Sequence, residues 1–310
     1  MIENYIIIIL IIILLILLIN FKKRINTKCN LCRETLVNQT TKKNKVIEIN
    51  KWFGRLGNNI YQVINFIHLA IELDCNIIIP PHEFFNKQYI KINDMDQGAS
   101  SEVLFVDDAT FFMDTTYIEN KFNNKDIFNK NKEKALNILK DLFIIKYKDI
   151  PDCNDDDLYI HIRSGDIFIG EGSPSYTQPP LDFYVKIIES NKFNKIYILA
   201  EDDLNPCINI LLKKYPNIVW NKTQLIDDIK LIMKCKNFIY GKSLLTTHIL
   251  LFNEGLIKSW DPSMYNFDGY YEAITKANNM TYYKGIFNIW YNKPEQLKVM
   301  IEYKFKPKQH

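Results

Sequence analysis

Apolar and polar positions along this chain follow two periods, and the switch between them recurs. Residues 46–49 (VIEI) read as a short strand; Ile60, Val63, Ile64, Ile67 and Ile71 then recur at helical spacing; residues 75–80 (CNIIIP) form a second β-like run. Between the first strand and the helix stands WFGRLGNN, residues 52–59, a glycine-bearing turn with Asn58 or Asn59 placed to cap the helix. Strand, glycine turn, helix and strand make the unit that begins a nucleotide-binding type of half. Gly54 and Gly57 do not stand in GxGxxG order, so close backbone approach is the plainer reading of them.

From 81 to 152 the pattern blurs: 89–93 is a short strand, 103–107 another, Phe111 and Phe112 look like core, and 132–143 suits a helix. Beyond residue 158 it sharpens. Strand-like runs at 158–162, 195–200, 217–220, 237–240 and 256–260 alternate with helical ones. The helices begin after Pro179-Pro180, at Pro206, after a Thr223 cap, and at 244–253 with Gly255 as the stop. Strands alternating with helices over this length predict an α/β fold with a parallel, doubly wound sheet. Its carboxyl edge, where open sheets bind ligands, collects Arg163, Asp166, Glu201, Asp202 and Ser243.

Residues 5–21 are almost purely Ile and Leu, about 25 Å of helix against a hydrocarbon core of ~30 Å. The competing reading, a cleaved signal peptide, wants a basic start and a small-residue cleavage site, and neither is there. An uncleaved anchor after a short tail (1–4) is the expectation, followed by a polar stem at 22–45. Lys22, Lys23 and Arg24 place the carboxyl part in the cytoplasm by the positive-inside rule. Sequons at Asn38, Asn221 and Asn279 argue for a Golgi or ER lumen instead. The 310 residues, 47% hydrophobic and 24% charged, suffice for one large core or two moderate ones, and two domains are expected, 46–152 and 153–310. A net charge of +3, scattered along the chain, gives no argument for a nucleic-acid partner, and none is expected. Cys29 and Cys32 have CxxC spacing with no second pair to complete a zinc site, while Cys75, Cys153, Cys207 and Cys235 read as buried thiols or disulfides. Asp94-Met95-Asp96 follows too short a strand for a metal-binding Asp-x-Asp pair, and residues 155–157 (DDD) precede their strand, at the wrong edge.

Arg163 is the informative residue, because a guanidinium stays charged and can hold two phosphate oxygens at once. An exposed ion pair with Asp166 is its bland alternative. Ser243 stands directly before a helix whose first amides could face the same anion. Each acidic residue nearby also suits a helix amino terminus and nothing more.

Three stretches carry a family resemblance. GRLGNNIYQVINFIHLAIELDCNIIIP (54–80) resembles the amino-terminal motif of the alpha-1,2-fucosyltransferases, and HIRSGDIF (161–168) resembles their H-x-R-x-G-D motif, shared more loosely with alpha-1,6- and protein O-fucosyltransferases. Residues 228–255 resemble the third region, an aspartate-bearing helix, a cysteine, a strand and a small hydroxyl-rich turn. The resemblance implies a GT-B fold, two Rossmann-like domains with parallel sheets facing a cleft, and inverting transfer of fucose from GDP-fucose to a glycan without a metal. It implies that Arg163 holds the donor's β-phosphate, that His161 and Asp166 shape that pocket, and that Ser243 contacts the phosphate from the other side. Asp228 would order the motif or approach the guanine, while Gly57 and Asn58 line the cleft; Asp166 is the named base. Ser164 stands where the family often has arginine, Asn59 where it has Gln, and residues 244–247 (LLTT) replace a Ser/Thr-Phe-x-x-Trp pattern. Residues 176–180 (YTQPP) are an insertion that could shape an acceptor site. Two alternatives stay open: a GT-B transferase using another nucleotide sugar, and a tethered glycan-binding protein without turnover.

Overall fold

The computed structural model describes residues 44–93, 101–107, 115–169, 176–278 and 290–306. The apolar run at 5–21, nearly all of the stem, Cys29 and Cys32, the sequons at Asn38 and Asn279, Asp94 and Asp96, and Phe111 and Phe112 lie outside these residues. Among the described residues no helix is long and apolar enough to cross a membrane.

Two sheets organise the chain. The first is built around β1 (Asn44–Ile49), which buries Val46, Ile47 and Ile49. It is followed by α1 (Leu56–Leu73), whose Ile60, Val63 and Ile67 are fully buried on the face their spacing predicts. β2 (Asn76–Ile78) and β4 (Ser101–Asp107) pair in parallel with the two sides of β1. β3 (Tyr89–Ile90) lies antiparallel on β2, giving the order β3-β2-β1-β4 and a mixed sheet where a parallel one was expected. The reason is the connection: the chain turns back from β2 without a crossover helix, and only antiparallel neighbours can be joined that way. α2 (Thr115–Phe122), α3 (Ile127–Lys130) and α4 (Lys132–Leu142) follow. Asn58 and Asn59 do not cap α1, because the turn closes earlier and Arg55 takes the cap position. Asn59 instead donates to the Phe53 carbonyl at 2.9 Å, locking that turn.

The second sheet runs β7-β6-β5-β8-β9, all parallel: β5 (Leu158–His161), β6 (Ile196–Leu199), β7 (Ile218–Val219), β8 (Asn237–Ile239) and β9 (Lys258–Trp260). Its helices are α5 (Leu181–Glu189), α6 (Pro206–Lys214), α7 (Leu225–Lys234) and α8 (Leu244–Ile249), with α9 (Asp268–Lys276) and α10 (Pro294–Glu302) closing the chain. From β5 the chain winds outward to β6 and β7, then returns to β8 and β9 on the other side. The switch point therefore lies between β5 and β8, where doubly wound sheets open a crevice. The helix expected over 244–253 is α-helical only to Ile249 and tightens to a 3-10 turn over Leu250–Phe252. Thr223 does not cap α7; its hydroxyl donates to Asp228, and Gln224 holds the cap position.

One apolar core joins the two halves of the chain. Ile229, Ile232 and Met233 of α7, and Ile249 and Phe252 after β8, pack with α1 and α4 residues, Phe252 stacking on Phe143 at 4.5 Å. The four described cysteines are free thiols. Burial pushes Cys75 and Cys207 up to about 12, too high for a reactive thiolate.

Candidate functional site

Arg163 leaves the end of β5 on backbone pinned from two sides. Ser164, 2% exposed, donates its hydroxyl to Asp202 and accepts from the Asn205 amide at 2.9 Å. Asn205 Nδ2 donates to the Arg163 carbonyl at 3.0 Å, and the Gly165 amide donates to Asp202 at 3.1 Å. Gly165 has φ +70, which favours glycine, and a Cβ there would push aside the mobile end of the Glu201 side chain, 2.8 Å away. The 3-10 turn Gly165–Phe168 that follows is held from the carboxyl-terminal segment, by Trp290 Nε1 on the Ile167 carbonyl (2.9 Å) and Asn292 Nδ2 on the Phe168 carbonyl (2.6 Å). Burial works to raise the Asp202 pKa, but the Ser164 hydroxyl and the Leu204 and Gly165 amides outweigh it and hold the carboxylate below its usual range. The serine that departs from the family pattern is thus the anchor of this strand end.

The Arg163 side chain, only 17% exposed, donates to Asp166 Oδ1 at 3.1 Å. Its guanidinium carbon lies 4.9 Å from the Tyr176 ring centre, and its Nε is buried without a hydrogen-bond partner. A second guanidinium arrives from the other sheet. Arg55, in the turn after β1, reaches Asp166 Oδ1 at 3.3 Å and Glu201 Oε2 at 2.9 Å. Desolvation opposes the Arg55 charge, but Glu201 and Asp166 overcome it and raise its pKa further. The carboxyl edges of the two sheets thus meet over one carboxylate shared by two arginines. Arg55 was not singled out in the sequence, although it sits inside the GRLGNN turn at the carboxyl end of a strand, as Arg163 does.

His161 lies half-buried against Gly241, where a Cβ would stand 2.2 Å from its Nδ1. Burial first, and then Arg163, pull the imidazole down to about 3, so it is neutral and packs the strand ends. Ser243 accepts from the Leu245 amide at 3.2 Å and caps α8, which has only 6 residues. Of the first amides of this helix, that of Leu245 is capped by Ser243 and covered by Gly57. A Cβ at Gly57 would lie 2.4 Å from the Leu245 nitrogen. Gly57 is thus a helix-packing residue, buried where cleft lining was expected. Asn58 folds its amide over Gly54. Asp228, in the first turn of α7, is bonded by the Thr223 hydroxyl; burial raises its pKa, and it shares no hydrogen bond or ion pair with the arginine cluster. In the 176–180 insertion, Thr177 and Gln178 are fully buried, and Gln178 is tied through its carbonyl to the Tyr270 hydroxyl at 2.8 Å. These residues are core and cannot line an acceptor site; Tyr176 alone turns toward Arg163.

Chemically, the edge offers two guanidiniums converging on one point that an oxyanion fits, with donors anchored on rigid strand ends. Among the described residues no group of three His, Cys, Asp or Glu side chains is placed to hold a metal ion. A groove of about 590 Å³ lined by Lys87, Tyr89, Lys91, Glu133 and Asp141 lies elsewhere, beside β3 and α4, and shares no residue with this edge.

No protein-family model and no curated protein matches the chain. Solved structures similar to it are fucosyltransferases. POFUT1 in complex with GDP aligns with a TM-score of 0.40 and 10% identity, over 72% of this chain and 99% of that one. NodZ alpha-1,6-fucosyltransferase soaked with GDP-fucose aligns with a TM-score of 0.35 and 11% identity, over 68% and 93%. Fucosyltransferase NodZ from Bradyrhizobium aligns with a TM-score of 0.34 and 11% identity, over 67% and 92%.

Proposed function

We propose that this chain is a GT-B glycosyltransferase that binds a nucleoside diphosphate sugar at the carboxyl edge of its second sheet and transfers fucose from GDP-fucose, with inversion, to a glycan hydroxyl. The observation that carries this reading is the convergence of Arg163 and Arg55, from different sheets, on Asp166. A carboxylate held between two planar forks stands where a phosphate would bind, and the phosphate brings more oxygens and more charge. GDP-fucose as donor rests on the H-x-R-x-G-D residues His161, Arg163, Gly165 and Asp166, with GRLGNN before α1.

On donor binding, Arg163 and Arg55 exchange Asp166 for phosphate oxygens. As the bond from the sugar's anomeric carbon to the diphosphate breaks, its electron pair passes to the leaving oxygen, and the guanidiniums stabilise that charge. A fixed donor of this kind contributes about 3 to 4 kcal/mol in comparable sites. The acceptor oxygen attacks from the opposite face and loses its proton to solvent or a weak base there, because Asp166 stands on the leaving-group side. No step calls on a metal. The apolar run at 5–21 anchors the enzyme, and the sequons support a luminal catalytic part in the Golgi or ER.

Thermal stabilisation by GDP against UDP tests the donor; stabilisation by UDP alone would refute fucose transfer and leave a transferase with another donor. One observation favours a binding protein without turnover: Asp166 and Glu201 are both committed to arginines. Release of radiolabelled fucose from GDP-fucose onto a glycan mixture separates that case from an enzyme.

A further inference from the structure

We propose that Lys242 is a second anion-binding residue of this site, holding a phosphate of the donor's diphosphate across the switch point from Arg163. The inference rests on the donor reading above and adds a residue to it. Topology comes first. The switch point lies between β5 and β8, and the two pair in parallel with Ile160 opposite Ile239. Followed three residues further in the same register, Arg163 leaves one strand end where Lys242 leaves the other. Gly241 keeps the two ends together: a Cβ there would meet His161 at its Nδ1 (2.2 Å) and its backbone carbonyl (2.7 Å), so the β8 end lies directly on the β5 end.

Charge is the second argument. Arg55 and Arg163 are matched by Asp166 and Glu201. Asp202 is already satisfied by Ser164 and by the amides of Gly165 and Leu204. Lys242 has no carboxylate partner among the described residues, so it is the one cation of this edge that no ion pair already engages. Its nearest described aromatic contact is the Tyr271 ring at 5.6 Å, close to the limit of a useful cation–π interaction. Burial lowers its pKa, and no negative group opposes that effect. Lys242 is still exposed to solvent, so its ammonium is open to a ligand and can offer three donors to an anion. Ser243, the neighbour expected to contact phosphate, has its oxygen engaged by the Leu245 amide. On the turn between β8 and α8, Lys242 has no hydrogen-bond or ion-pair partner among the described residues.

The test is calorimetric titration of GDP, inorganic pyrophosphate and guanosine into wild type, Lys242→Met and Lys242→Arg. Lys242→Met should weaken GDP and pyrophosphate about 10- to 100-fold, the worth of one charge-assisted hydrogen bond, and leave guanosine unchanged. Lys242→Arg, which keeps the charge, should stay within about 5-fold of wild type. Apo melting temperatures should coincide, because among the described residues the ammonium has only the distant Tyr271 contact. Equal GDP and pyrophosphate affinity in wild type and Lys242→Met would overturn the proposal, as would a guanosine loss as large as the GDP loss. Lys242-dependent pyrophosphate binding without GDP binding would uphold Lys242 and refute the nucleotide reading. A wild type that binds neither would refute both.

Discussion

Gly57→Ala separates the two roles open to the GRLGNN turn, because packing and helix propensity push its stability in opposite directions. A methyl at this position of α1 would stand 2.4 Å from the Leu245 nitrogen and 2.7 Å from the Leu244 carbonyl carbon and the Leu245 Cα, where ordinary contact begins near 3.4 Å. All three obstacles are backbone, and the turn they belong to is capped by Ser243, so no side-chain rotation relieves the clash. The α8 amino terminus must move by roughly 1 Å, an overpacking that costs about 1 to 3 kcal/mol. Alanine in a helix gains up to about 1 kcal/mol over glycine. The net expectation is a loss of about 1 to 2 kcal/mol, or roughly 1.5 to 3 °C in melting temperature for a chain of this size. Urea and thermal unfolding of the purified protein read the sign directly. GDP affinity should fall in parallel, because the displaced turn carries Lys242 and Ser243. A variant as stable as wild type, or more stable, would show that α1 and α8 do not meet as described and would return Gly57 to cleft lining.

Three further outcomes follow from the site and its surroundings. Arg163→Ala should abolish measurable GDP binding, and Arg163→Lys should lose at least about 10-fold, since an ammonium cannot make the two-point contact; unchanged affinity in the lysine variant would remove Arg163 from the phosphate site. Arg55→Met should cost under about 1 kcal/mol of stability, its ion pairs being largely exposed (60% for Arg55), yet reduce GDP affinity. An affinity equal to wild type would reduce Arg55 to a surface ion pair. His248 is buried and stacks on Tyr61 at 4.9 Å; burial pulls it from 6.5 to about 4 in spite of the Leu244 and Gly57 carbonyls. A depressed histidine keeps its proton off in the fold, so its stabilisation is complete above about pH 6.5 and is lost as pH falls toward 4, at about 1.4 kcal/mol per pH unit. His248→Gln should flatten that slope in urea midpoints taken between pH 7 and 4.5; the same slope in the variant would mean that His248 is not held neutral.

Where the chain repeats a local pattern, its sequence was legible. Leu158, Ile160 and Ile196 are buried in parallel strands because an apolar run of that length between turn residues has few other uses. Helical spacing in α1 likewise predicted the face that packs. Tertiary competition for the same polar atoms was not legible. Asn58 and Asn59 suited a cap until the turn closed earlier, and the Thr223 hydroxyl was drawn to Asp228. Ser243 looked like a phosphate contact and the 176–180 insertion like part of an acceptor site, and the one caps a short helix while Thr177 and Gln178 of the other are core.

By itself, the order of residues determined the α/β class, the strand that ends in Arg163 and the edge where that arginine emerges, since each depends on periods and turn chemistry within a few residues. Only tertiary structure decided that Arg55 joins it from another sheet, that Gly57 is where two helices touch, and that Lys242 is left without a carboxylate. Those facts are set by contacts between segments far apart in the sequence, 146 residues for Arg55 to Glu201 and more still for Gly57 to Leu245. A local pattern carries no information about which distant charge will meet it once the core has closed.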